Sequence, residues 1–200
     1  MLKIYKLGEE VLRQKSVPIK DEEINDELRT LAEEMFETMD AANGVGLACP
    51  QIGKNIRMFV AMADDDVRRV FINPQIIATS DDSVPYEEGC LSVPQVYENI
   101  MRPSKVTVQA QDQNGKKFTL EAEGLLARIV QHENDHLDGV IFIDRGDADF
   151  AKKTAEQFAK RAERAEKKAA EKEAKAKKIA AKIAAKKAAK EAKEAKKNNA

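Results

Sequence analysis

After Phe150 the chain contains no glycine, no proline and only three large apolar side chains, Phe158, Ile179 and Ile183. Nothing in that stretch can close a hydrophobic core, so any globular fold must be built from the residues before it. Alanine and lysine dominate the remainder. Both are strong helix formers, and a long solvated helix, frayed toward Asn198, is the local expectation. Fully helical, it would extend about 75 Å. Its large apolar residues are too sparse for a coiled-coil seam. Charge follows the same division. Residues 1–150 carry 16 Lys and Arg against 28 Asp and Glu, and residues 151–200 carry 18 against 7, so a formal net charge of −1 conceals −12 against +11.

The first 150 residues mix two periodicities. From Asn25 to Met39, Leu28, Leu31, Ala32, Met35, Phe36 and Met39 recur at three-to-four spacing, which predicts an amphipathic helix ending at the loop "AANGVG". Ile56–Met62, Val70–Ile77, Lys105–Asp112 and Lys117–Glu123 are rich in β-branched and aromatic residues and read as strands. Asn114-Gly115 suits a tight hairpin turn between the last two. From Leu125, "LLARIVQHENDHL" predicts a second, mostly buried helix. The expected class is α+β: compact antiparallel strands around that helix in residues 1–147, followed by a long basic helical extension, 148–200. The start "MLKIYKLGEE" lacks a signal-peptide core, and no run approaches the roughly 18 apolar residues of a membrane span. A soluble cytoplasmic monomer without membrane contact is expected. Cys49 and Cys90, without paired spacing, are expected to be reduced thiols.

The stretch "QHENDHLDG" places His132 and His136, the chain's two histidines, one helical turn apart with Glu133 beside the first. Residues i and i+4 share a helix face, so both imidazoles can reach one divalent metal while the carboxylate stays free as a general base. A tetrahedral site with one open position needs a third protein ligand. Cys90 in "EGCLSVP" is the candidate, presented by a loop or strand end, with Pro94 ending the segment. Glu87 and Glu88 would sit awkwardly beside a bare thiolate unless a cation lies nearby or one of them pairs with a base such as Arg102. "GVGLACPQIG" lacks the lysine of a phosphate loop. Its glycines suit close approach to an extended substrate pairing with Val45 and Gly46, with Gln51 aimed at an oxyanion. On that segment alone, a structural turn with an exposed glutamine is the simpler reading. Cys49 reads as a small packing residue.

Taken together, "GVGLACPQ", "EGCLS" and "QHENDH", with the linking "FINP" and "GLLARIVQHE" context, closely resemble the three signature motifs of peptide deformylases over roughly residues 1–147. The resemblance implies hydrolysis of the N-formyl group from the starting methionine of nascent polypeptides, releasing formate. Carried over, it implies Cys90, His132 and His136 as metal ligands and Glu133 as acid/base. Gln51 and the Leu91 amide match the oxyanion donors, and Val45 and Gly46 the strand-like substrate contact. The mechanism that the resemblance implies has Glu133 taking a proton from the attacking water and returning it to the leaving nitrogen. The resemblance favours Fe2+, with Zn2+, Ni2+ or Co2+ as substitutes. Val45, Tyr86, Leu125 and Ile129 are expected to wall the methionine pocket.

Two departures stand out. Cys49 replaces a usual alanine, a near-isosteric change expected to be harmless although it adds an oxidisable group, and Tyr97 stands near where some relatives carry a peptide-holding arginine. The basic tail could contact ribosomal RNA, fold back on the acidic domain or serve only solubility. A metallopeptidase, the nearest rival, predicts a third His or Glu ligand, and the chain has no third histidine. A non-catalytic ribosome-binding relative would be easier to hold if Glu133, Gln51 or a ligand were replaced, and none is.

Overall fold

A computed structural model describes residues 1–198; the side chains of Glu166 and of residues from 179 on, including Ile179 and Ile183, and residues 199–200 lie outside the described residues. The chain divides into two compact units, Met1–Ala155 and the segment from Glu156 onward. In the first, helix α1 (Asp26–Ala41) begins where Asn25 accepts a hydrogen bond from the Leu28 amide at 3.1 Å. It buries the apolar positions that its periodicity marks.

Seven strands follow: β1 (Gly46–Ala48), β2 (Met58–Met62), β3 (Arg68–Thr79), β4 (Ser83–Cys90), β5 (Val93–Pro103), β6 (Lys105–Gln111) and β7 (Lys117–Glu123). They form an antiparallel sheet in the order β1-β2-β3-β6-β7 and a separate β4-β5 hairpin. Helix α2 (Gly124–Leu137) runs directly out of β7. The apolar run of β2 is continuous because both its faces are buried. Met58 and Val60 pack with Leu31, Met35, Phe36 and Met39 of α1, while Phe59 and Ala61 face Ile129, Val130 and Leu137 of α2. On the α2 side Phe59 stacks on Phe71 with ring centroids 4.6 Å apart. Phe71→Ala is expected to destabilise the metal-loaded protein by about 3–5 kcal/mol in urea unfolding; a loss below about 1 kcal/mol would mean that this face tolerates a void.

Two segments differ from the sequence expectation. The stretch after "AANG" is not all loop, since Gly46–Ala48 is an edge strand followed by a 3-10 turn at Cys49–Ile52. Pro94 does not end the Cys90 segment. The chain turns at Leu91 and Ser92 and continues as β5, with Pro94 inside that strand. Both strands of a two-stranded ribbon are edge strands, the setting in which prolines such as Pro85, Pro94 and Pro103 are tolerated.

Helix α3 (Ala148–Asn198) opens with the Asp147 carboxylate accepting from the amides of Asp149 and Phe150 at 2.8 and 3.2 Å. The helix is continuous through Asn198, so the fraying expected toward that residue is not seen among the described residues. Among the described residues no helix is long and apolar enough to cross a membrane.

Candidate metal centre and active site

Helix α2 carries its polar motif inward. His132, Glu133 and His136 are all buried, as are the apolar residues that anchor the helix to the sheet. The tip of the β4-β5 hairpin brings Cys90 against them, and the ligand atoms of Cys90, His132 and His136 lie within 4.8 Å of one another. Cys90 Sγ is 3.2 Å from His136 Nε2. His132 Nδ1 is held by Glu88 Oε2 at 2.9 Å, which leaves Nε2 as its donor toward that common point. This donor set fits a divalent cation: one soft thiolate and two imidazoles, with a coordination position left over. The Glu133 Oε2 and His136 Nδ1 atoms are buried without a hydrogen-bond partner. A free carboxylate oxygen beside three ligands suits a base.

The charges agree with that fit. Burial alone would push the Cys90 thiol up, but the imidazoles of His136 and His132 outweigh it and hold the thiol well below its ordinary value. Burial pushes Glu133 up, to about 7. Burial also acts to raise Glu88, yet hydrogen bonds from His132 and Arg102 bring it down to about 2.

Behind the ligands lies a buried ionic network. Arg102 donates to both Glu88 oxygens at 2.7 and 3.0 Å and to Asp135 at 2.7 Å. Arg145 completes Asp135 at 2.6 Å. Arg128 of α2 donates to Glu88 and to the Ile100 and Val84 carbonyls, fastening the hairpin to the helix. Of the two arrangements that the sequence allows for Glu88, the pairing with Arg102 is present. Arg128, Asp135 and Ser92 escape the sequence reading, although a charged residue on a helix whose neighbours are all buried is itself a signal for the first two.

A cleft of about 690 Å³ opens over this point, lined by Val45, Gly46, Tyr86, Leu125 and Ile129 among others. Gln51 forms part of its floor and is buried, not exposed in a turn. Its Oε1 accepts the Ala48 amide at 2.8 Å, and its Nε2 lies 3.2 Å from Ser92 Oγ and 3.5 Å from Cys90 Sγ. Strand β1 is the sheet edge beside the cleft. Because the Val45 carbonyl accepts from Met62 at 2.9 Å, antiparallel alternation turns the Gly46 N–H and C=O away from β2, free to pair with an added strand. A Cβ at Gly46 would stand 2.9 Å from the Glu133 carboxyl carbon. Gly46→Ala is therefore expected to cut kcat/KM by about a hundredfold through displacement of that carboxylate, with little change in melting temperature. Unchanged kinetics would show that the contact relaxes harmlessly.

Tyr97 is exposed at the cleft rim and its ring covers Gly89. Cys49 is the packing residue that its sequence position suggests: it is fully buried against Met35 Sδ at 3.6 Å, and burial pushes its thiol far up, so the oxidisable group it adds is not an accessible one.

A Cys-His-His group that could hold a metal, with a buried free carboxylate beside it, is the arrangement of a metal-dependent hydrolase. The family model described as polypeptide deformylase matches residues 1–153. The peptide deformylase of Treponema pallidum (strain Nichols) is 50% identical over 141 residues, covering 70% of this chain and 85% of the relative. That of Borreliella burgdorferi is 50% identical over 136 residues, covering 68% and 81%. Among solved structures, a peptide deformylase from Synechococcus elongatus in complex with actinonin superposes with a TM-score of 0.72 at 41% identity, covering 78% of this chain and 85% of that one. One from Legionella pneumophila gives 0.73 at 39%, covering 82% and 98%. The chain belongs to the peptide deformylase family, hydrolases that remove the N-formyl group from nascent peptides.

Proposed function

We propose that the chain deformylates N-terminal formyl-methionine with Cys90, His132 and His136 holding one Fe2+, Glu133 moving the proton, and Gln51 and the Leu91 amide receiving the oxyanion. The observation that carries this reading is the convergence of a thiol, two imidazoles, an unpaired buried carboxylate and a carboxamide at one point beneath an edge strand. A bound divalent cation supplies Lewis acidity, making water a nucleophile near neutral pH and polarising the formyl oxygen. The outward Gly46 N–H and C=O bind the peptide backbone as an added strand, with Val45 contributing its side chain rather than its backbone, and Val45, Tyr86, Leu125 and Ile129 enclose the methionine side chain. Glu133 Oε2 accepts the proton of the attacking water and then delivers it to the departing amide nitrogen. The Gln51 Nε2–H and Leu91 N–H donate to the oxygen as its charge grows. A single thiolate with two imidazoles suits iron as well as zinc, nickel or cobalt; the resemblance of the three motifs to the deformylase signatures favours Fe2+.

The test is formate release from a formyl-methionyl peptide by protein purified without oxygen, with its metal identified and counted. Release with one iron per chain supports the reading, and no release from a filled site overturns it. Residues 1–147 would form the catalytic domain of a cytoplasmic monomer, and 148–200 an extension whose excess of basic residues suits contact with ribosomal RNA. Salt-sensitive co-sedimentation with ribosomes by the full chain, but not by one lacking residues 156–200, would support that contact. Equal pelleting would sink it.

A further inference from the structure

The two oxyanion donors come from separate pieces of the fold. Gln51 follows β1 of the large sheet, and Leu91 sits in the turn of the β4-β5 hairpin, with no sheet ladder joining them. The segment before the first helix spans the gap. The Tyr5 amide donates to the Gln51 carbonyl at 2.7 Å, the Lys6 ammonium to the Leu91 carbonyl at 2.7 Å, and the Leu7 amide to the Ser92 carbonyl at 2.9 Å. The Tyr5 ring also lies on the face of Gly53, where a Cβ would come within 2.6 Å of it. Upstream, the Leu2 amide is anchored to Thr38 Oγ1 of α1 at 2.9 Å.

We propose that residues 5–7 form a strap that keeps the two oxyanion donors in register, with Lys6 as a positioning residue for the hydrolysis. The inference rests on the roles given above to Gln51 and Leu91. Lys6 makes the one charge-assisted bond of the three, so it fixes the hairpin turn more firmly than a neutral donor would. It lines the same cleft, so a direct substrate contact is the alternative that the experiment must separate. Losing an oxyanion donor outright costs about a hundred- to a thousandfold in kcat, and loosening one should cost part of that.

The test compares Lys6→Met, Lys6→Arg and Gln51→Ala in the full-length, metal-loaded enzyme by steady-state kinetics on a formyl-methionyl tripeptide, with metal content and melting temperature measured. Lys6→Met should lower kcat about tenfold with KM within about twofold of wild type, metal content and melting temperature unchanged, and Lys6→Arg should recover most of the loss. A Lys6→Met enzyme with normal kcat beside an impaired Gln51→Ala enzyme overturns the strap alone. A rise in KM without a fall in kcat overturns it in favour of substrate contact. A fall in kcat accompanied by metal loss or a lowered melting temperature overturns it in favour of a merely structural role. Normal kcat in Gln51→Ala removes the oxyanion reading and the strap with it.

Discussion

Glu133→Gln is expected to reduce kcat for formate release by about a hundred- to ten-thousandfold, the usual worth of a positioned general acid–base group. The substitution keeps the shape of a side chain that is 4% exposed and removes only its ability to take a proton. Metal content should stay at that of wild type, since Glu133 is not among the three converging ligands. Burial penalises the charged carboxylate, as its upward shift to about 7 indicates, so the melting temperature should hold or rise. Activity above about a tenth of wild type would exclude Glu133 as the proton carrier.

The second large effect lies one layer out. Arg102→Met strips Glu88 and Asp135 of a shared partner inside the protein, where each side chain is less than a tenth exposed. Breaking one member of a buried ionic group costs about 3–5 kcal/mol, to be read from denaturant unfolding of the metal-loaded enzyme. Because Glu88 orients His132, chelator competition should also find metal affinity lowered about ten- to a hundredfold. Arg68→Met, which removes exposed pairs with Glu33 and Asp40, should cost less than about 1 kcal/mol. Equal losses from the two variants would contradict the distinction between buried and surface pairs. The acid response carries the same signature. Glu88 titrates at about 2 in the folded protein against an ordinary 4.5, so its contribution is present above 4.5 and is lost as pH falls from there through about 2. In Arg102→Met that loss should shrink.

The legible parts of this chain are those in which one residue type has one physical use. The helix at α1 announces itself by spacing and by Asn25, and β6 and β7 by β-branched runs around Asn114-Gly115. His132 and His136 announce the metal face of α2. What stayed hidden depends on partners distant in sequence. Strands β4 and β5 carry prolines, glutamates and Gly89 where an apolar alternation would be expected, because their inner side buries Glu88 and Arg102 beside Ile100. Three-residue β1 is too short to have a period. Lys6 looks like an ordinary surface cation until the fold brings the Leu91 carbonyl to it, and Arg128, though it stands among apolar neighbours, shows its partner only when the fold brings Glu88 to it.

The free edge at Gly46 also bears on inhibition. An inhibitor laid along β1 would grip the Gly46 N–H and C=O, which every amino acid other than proline also provides at that position, so exchanging a side chain cannot erase the handhold. The direct escape is to add bulk at residue 46, and that bulk meets Glu133. Resistance by this route would weaken the drug and the enzyme together, and selection would push escape toward the rim of the cleft, where Tyr97 can change without touching the proton carrier.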